Sequence, residues 1–175
     1  MLSGFFEKAV TATISLGMMV FSSYQGNTPL FIDSGATHRG NRITVQATLD
    51  NAFNDDFRQI LQAGQEVAIC FHLELRSATT TEIIDFDHIA KFDPLLETWT
   101  LTCEERDREY TIESWNEFTR AASDFNYVGN HYLEPPIEVH LEASLPKINL
   151  GQNNREFNLM LFWNYHKPSC QANLR

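Results

Sequence analysis

Residues 67–75 read VAICFHLEL, and this stretch indicates the fold class. Its odd-numbered positions are all large and apolar, while histidine and glutamate occupy two of the even ones. Alternation with a period of two is typical of a β-strand that buries one of its faces. The apolar positions are Val67, Ile69, Phe71, Leu73 and Leu75. A sheet with one buried face is therefore the predicted framework.

The same alternation recurs on both sides of this stretch. It predicts further strands over residues 43–49, 83–89, 99–103, 110–112 and 137–145, and a last, two-sided apolar strand over 157–165. Asn54 and Ser114 have the side chains of helix N-caps, and Glu117 completes a capping box after Ser114. The connections are too short for most parallel crossovers. The predicted fold class is α+β, with a mostly antiparallel curved sheet or partial barrel of about seven strands and two short helices.

Composition narrows the functional classes. The chain has 175 residues and a formal net charge of −10, which suits one globular domain and disfavours nucleic-acid backbones and anionic membrane surfaces. No motif indicates a cofactor. The three cysteines are too few for a disulfide framework, although a bridge between Cys70 and Cys103 is possible; buried free thiols are the favoured interpretation.

The N-terminal region carries the strongest signal for location. Ala9–Phe21 reads AVTATISLGMMVF, has no charge and is too short to span a bilayer as a helix. It predicts a hydrophobic leader over 1–26, either a signal peptide or an anchor, although an ordinary amphipathic or buried N-terminal helix is the alternative. A linker over 27–41, a single β-rich domain over 42–167 and a tail over 168–175 complete the predicted organisation.

A set of landmarks runs through most of the body. In chain order they are LQAG at 61–64, ICFHLEL at 69–75, YTI at 110–112, the helix with Phe118 and Ala121, LEASLPK at 141–147, and Trp163. Their order resembles domain of unknown function family 4390, which consists of small exported or membrane-anchored envelope proteins of Gram-negative bacteria. The resemblance implies a periplasmic or membrane-anchored location and brings no catalytic residue with it. A cytoplasmic location is the alternative.

Two histidine–glutamate pairs are the candidate metal ligands. His72 and Glu74 share one face of their strand, as do His140 and Glu142. If the two strands are neighbours, imidazoles and carboxylates converge as first-row divalent ions require. This predicts a metal-dependent enzyme as one alternative, although a solvated strand face explains the same pattern.

A second candidate site is apolar. Met160 and Phe162 lie on the second face of the predicted last strand, and Trp99 is an aromatic on another strand. A strand that is apolar on both faces must bury the second one against a helix, a ligand or another chain. With no catalytic motif in the sequence, the leading hypothesis is a non-catalytic envelope module that binds a protein partner or an apolar ligand. Membrane association through residues 9–21 is possible, and a cytoplasmic structural or interaction protein is a further alternative.

Overall fold

The computed structural model describes residues 25–150 and 155–175. Strands dominate this part of the chain, together with two α-helices and two short 3-10 helices. In chain order the elements are β1 (Leu30–Arg39), β2 (Arg42–Asp50), α1 (Asp55–Gln62), β3 (Val67–Arg76), β4 (Thr81–Asp93), β5 (Thr98–Cys103), the first 3-10 helix (Glu104–Arg106), β6 (Arg108–Ile112), α2 (Trp115–Ser123), β7 (Asp124–Asn130), β8 (Ile137–Ser144), β9 (Lys147–Leu150), β10 (Arg155–Asn158), the second 3-10 helix (Leu159–Trp163) and β11 (Ser169–Leu174).

The strands form two main sheets in which every pairing is antiparallel. The larger sheet has the order β11-β8-β3-β4-β5-β6, and the smaller one has the order β1-β2-β7. Strands β9 and β10 pair separately. The stretch 67–75 lies in the middle of the larger sheet, because β3 pairs with β4 on one side and with β8 on the other.

The core lies between the two sheets and is rich in aromatic rings. Phe71 of β3 is 1% exposed, and its ring centroid lies 4.9 Å from that of Phe125 in β7 and 6.4 Å from that of Phe31 in β1. Phe86 of β4 contacts Tyr127 of β7 at 5.2 Å. These contacts join the inner faces of the sheets, so that the even-numbered residues of β3 lie on the outer face of the larger sheet.

One end of this sandwich carries the helices, and we call it the helix end. Here the indole Nε1 of Trp163 donates to the carbonyl oxygen of Ala52 at 2.8 Å, and the rings of Phe57 and Phe162 lie 6.1 Å apart. Asn54 caps α1 by accepting a hydrogen bond from the backbone N–H of Phe57 at 2.9 Å. The helix end therefore joins α1, the end of β2 and the second 3-10 helix.

The α+β class, the largely antiparallel sheet and the two short helices are confirmed. The number of strands was too low: residues 25–150 and 155–175 contain eleven strands, and none of their sheets closes into a barrel. The expected linker contains β1, whose glycine, serine and aspartate residues resemble a loop, and the expected tail contains β11. Both strands gain their hydrogen bonds from a neighbouring strand, which local residue types do not reveal.

The last predicted strand was also wrong in part. Residues 155–158 form β10, but 159–163 form the second 3-10 helix. The side chain of Asn158 accepts from the backbone N–H of Met160 at 3.0 Å, which starts the helix. Because the core encloses this short helix, its residues are apolar on several sides. Its sequence therefore has the same pattern as a strand that is buried on both faces.

The predicted leader lies mostly outside the described residues, since the description begins at Gln25. Among the helices described, none combines the length and the apolar character needed to cross a bilayer.

The position of Phe71 gives a first prediction. Replacing Phe71 with alanine should lower the free energy of unfolding by about 3–5 kcal/mol, because it removes a buried ring between the two sheets. Leu96→Ala is the control, since Leu96 is 71% exposed, and it should change stability by less than about 0.5 kcal/mol. Urea unfolding followed by circular dichroism measures both; equal losses would contradict the assignment of Phe71 to the core.

Candidate functional site

The two predicted histidine–glutamate pairs lie on adjacent strands. In the register of β3 and β8, His72 is opposite Glu142 and Glu74 is opposite His140. All four residues are on the outer face of the larger sheet. Directly opposed side chains in an antiparallel pair have Cβ atoms about 4.5–5.5 Å apart. We call this two-by-two group the His–Glu array.

Most of its members have partners that are not metal ions. His72 Nδ1 lies 2.6 Å from Asp85 Oδ1 of β4, and Lys167 Nζ lies 2.9 Å from Glu142 Oε1. Glu74 pairs with Arg76 on its own strand. His140 Nε2 is buried and has no hydrogen-bond partner. The structure thus brings the four residues together, and their present orientations favour ion pairs over a shared ligand point.

The predicted apolar site residues are in the core. Trp99 is 2% exposed, Met160 8% and Phe162 1%. Met160 accepts at sulfur from the backbone N–H of Leu145 at 3.1 Å. Trp99 does reach a surface indirectly, since its ring lies 4.9 Å from that of the half-buried Trp115. These residues support the helix end from within.

A buried charged cluster is the first feature that sequence reasoning did not find. His88 of β4 and the side chain of Glu105 are both 0% exposed, and His88 Nε2 lies 2.9 Å from Glu105 Oε2. The other ring nitrogen of His88, Nδ1, lies 2.9 Å from the carbonyl oxygen of Ala122 in α2. Arg106 continues the cluster, with Nε 2.9 Å from Glu105 Oε1 and Nη1 2.9 Å from Asp124 Oδ2.

The protonation state of the cluster follows from its geometry. Burial on its own lowers the pKa of His88, but its contacts with Cys103 and Glu105 outweigh burial and raise that pKa to about 9. Burial raises the pKa of Glu105, yet the hydrogen bond with His88 and the charges of His88 and Arg106 lower it overall. A carbonyl and a carboxylate can only accept, so both ring nitrogens of His88 donate and the ring is an imidazolium.

The same cluster offers three metal-ligating atom types. Among the described residues, His88, Cys103 and Glu105 bring a nitrogen, a sulfur and a carboxylate oxygen within 4.8 Å of one another. A metal ion requires a deprotonated imidazole nitrogen, whereas the pKa of His88 is raised and Arg106 Nη2 lies 3.5 Å from the sulfur of Cys103. The arrangement fits a buried ion-pair network better than a metal centre.

A second polar chain joins β4 to β7 at the other end of the sandwich. Tyr127 Oη lies 2.6 Å from His131 Nε2, and His131 Nδ1 lies 2.5 Å from Glu82 Oε2. Tyr127 and His131 are buried, whereas Glu82 is partly exposed. A Cβ atom at Gly129 would lie 1.9 Å from Tyr127 Oη, so this glycine leaves room for the chain.

The described residues form two open clefts along α2, which together we call the α2 cleft. One has a volume of about 380 Å³ and the other of about 560 Å³, and Thr48 and Arg120 line both. Volumes of this order are typical of small-molecule sites. The first is lined further by Leu49, Asp50, Asn51, Ala52, Phe53, Trp115, Asn116, Thr119 and Ser123, and the second by Arg106, Tyr110, Ile112, Glu117, Ala121 and Asp124. The sequence predicts the helix that starts after Ser114, but the cleft itself depends on how α2 packs beside β2.

Comparisons of this chain with protein-family models, with curated proteins and with solved structures found no match. The resemblance to the envelope family therefore stays a prediction.

The charged cluster predicts how stability depends on pH. The pKa of His88 is about 9 in the folded chain and about 6.5 when unfolded, so its contribution is complete below pH 6.5 and is lost as the pH rises through 9. The pKa of Glu105 lies below 4.5 in the folded chain, so its contribution is present above that value and is lost on acidification. We therefore expect the free energy of unfolding to be highest between about pH 4.5 and pH 6.5.

Urea unfolding at a series of pH values from 5 to 10 measures this dependence. His88→Leu should lower stability near pH 7 by about 3–5 kcal/mol, because it leaves Glu105 buried without its partner, and should remove most of the alkaline loss. His166→Ala, at an exposed histidine, is the matched control and should keep the profile of the original chain. An unchanged alkaline profile in His88→Leu would contradict the assignment.

Proposed function

We propose that this chain is a non-catalytic, envelope-associated binding module, and that the α2 cleft holds its ligand or a short segment of a protein partner. The observation that supports this most directly is the lining of the cleft. Half-buried Phe53 and Trp115 present ring surface beside the exposed side chains of Asn116 and Arg120. Aromatic surface next to a few placed polar groups is the usual composition of a binding site.

The lining also suggests the chemistry of the occupant. The Trp115 ring packs against the buried ring of Trp99, and its centroid lies 5.7 Å from the guanidinium carbon of Arg58. An apolar side chain or acyl group would pack on Phe53 and Trp115, while a carboxylate or carbonyl group would pair with Arg120. We therefore expect an amphipathic ligand that carries both groups.

The histidines and cysteines of the described residues lie outside the lining of this cleft, which supports binding rather than catalysis. His88 and the Glu105 side chain are fully buried. Burial, reinforced by a hydrogen bond with Asp87, raises the pKa of the Cys70 thiol to about 12, so that Cys70 is not a nucleophile at neutral pH. Neither a histidine nor a cysteine lines either part of the α2 cleft.

Blocking the cleft tests the proposal. Asn116→Trp places a large ring in the cleft, and Arg120→Glu reverses its charge; each should weaken retention of a co-purifying ligand or partner about tenfold or more. Native mass spectrometry of the protein isolated from its host measures retention. Asn130→Trp, at an exposed position of β7, is the matched control. Equal retention by all three variants would contradict the cleft as the binding site.

A metal-dependent enzyme built on the His–Glu array is the second candidate. The observation in its favour is the register of β3 and β8, which sets each histidine opposite a glutamate of the other pair. Asp85, beside His72, adds a further carboxylate to this face. Rotation of these partly buried side chains would redirect their ligand atoms toward one point, and Zn²⁺ accepts both nitrogen and carboxylate ligands.

Metal binding separates this candidate from the first. It predicts about one Zn²⁺ per chain by native mass spectrometry after dialysis against zinc, and loss of that ion in the His72→Ala, His140→Ala double variant. His166→Ala should bind as the original chain does. A folded protein that takes up no zinc would rule out the enzyme proposal and leave the binding module.

A further inference from the structure

The hairpin that joins β4 to β5 extends beyond the start of β3 in the larger sheet. The pairing of β3 with β4 begins at Val67 and Ala90, so residues 91–93 pair only with β5. At the end of this extension, residues 94–97 form a turn that we call the tip. Its two leucines are among the most exposed apolar side chains described: Leu95 is 88% exposed and Leu96 71%.

The tip is held in a defined shape. Asp93 Oδ1 accepts hydrogen bonds from the backbone N–H groups of Leu95 at 2.8 Å and of Leu96 at 3.2 Å. The carboxylate of Asp93 thus points to the backbone of the turn and accepts hydrogen bonds from it. Two adjacent leucines on a fixed turn lose little conformational freedom when they enter an apolar phase.

The tip and the start of the described chain lie at the same end of the molecule. The backbone N–H of Asn27 donates to the carbonyl oxygen of Phe162 at 2.7 Å, and a Cβ atom at Gly26 would lie 2.3 Å from the carbonyl oxygen of Leu161. This holds residues 26–27 against the second 3-10 helix. Successive ring contacts of 4.5–6.3 Å then lead from this helix to the base of the tip, through Phe162, Phe57, Phe53, Trp115, Trp99 and Phe92.

The chain that precedes this point contains the uncharged stretch Ala9–Phe21. Residues 22–25 separate it from Gly26, and the five residue steps from Phe21 to Gly26 span roughly 18 Å at most. If residues 9–21 enter a membrane, Gly26 therefore lies close to its surface. The helix end then faces the lipid, with the tip on that side.

We propose that Leu95 and Leu96 insert into the surface of the same membrane that holds residues 9–21, so that the body is attached at two points. This inference rests on the proposed envelope association. The occupant of the tip is a lipid surface of little net charge, because the chain carries a net charge of −10 and Glu97 lies beside the leucines. Hydrophobic burial of the two leucines, rather than attraction of charge, is the driving force.

Tryptophan fluorescence in vesicles tests the inference. The full-length chain is reconstituted into phosphatidylcholine vesicles with plain or brominated acyl chains, as Leu95→Trp and, as the matched control, as Tyr132→Trp. Tyr132 is 85% exposed and follows His131, whose backbone N–H bonds Asn41 at the opposite end of the sandwich. After subtraction of the emission of the original chain, brominated lipid should quench the added emission of Leu95→Trp about twofold or more and leave that of Tyr132→Trp unchanged.

The outcomes separate the inference from the proposed envelope association on which it rests. A chain that is not recovered with the vesicles overturns membrane attachment through residues 9–21, and with it the second attachment point. A chain that is recovered, but whose Leu95→Trp emission is not quenched, or is quenched no more than that of Tyr132→Trp, overturns the second attachment point alone. The far-ultraviolet circular dichroism of both variants should match that of the original chain, since each substitution is at an exposed turn or loop position.

Discussion

A buried ion pair holds the layers of this protein together. His88 and Glu105 come from β4 and the first 3-10 helix, while His88 also donates to Ala122 in α2 and Arg106 reaches Asp124 at the start of β7. The larger sheet, the second helix and the smaller sheet therefore meet at one charged group. Removing two charges from water is costly, and this cost is repaid only where geometry and further hydrogen bonds are satisfied. The cluster thus specifies how the layers meet more than it adds net stability.

The central strands of the fold could be predicted because apolar and polar residues alternate along them in the sequence. The alternation in 67–75 and 137–145 reflects a sheet with one buried face, and Asn54 and Ser114 mark helix starts through their residue types. Strand β1 pairs with the adjacent β2 and was missed because its glycine, serine and aspartate residues resemble a loop. Strands β7 and β11 were missed for a shared reason, because each pairs with a strand that lies much earlier in the chain, and tertiary pairing overrides weak local preference. Phe125, for example, extends the apolar stripe of α2 in the sequence but belongs to β7.

Of the candidate sites, the His–Glu array could be predicted from the sequence, whereas the α2 cleft and the charged cluster could not. Placing His72, Glu74, His140 and Glu142 on one face required only strand periodicity, and the register then set the two pairs opposite each other. The α2 cleft and the charged cluster were not predictable in this way, because both depend on the packing of α2 beside β2 and β7. Glu105 in particular reads as one charge in an exposed turn, and nothing near it in the sequence indicates that its side chain is buried.

The position of β3 has a consequence for the order of folding. Its pairing with β4 needs only the short turn after Arg76, and β5 and β6 follow by equally local connections. The other edge of β3 pairs with β8, and β2 pairs with β7. Both β7 and β8 are synthesised much later than the strands with which they pair. A local meander of β3, β4, β5 and β6 can therefore form first, with the free edge of β3 unpaired. The entropic cost of closing the loops that bring β7 and β8 into place follows later. The two-layered sandwich is therefore complete only after β7 and β8 have been synthesised, well after the residues of the meander.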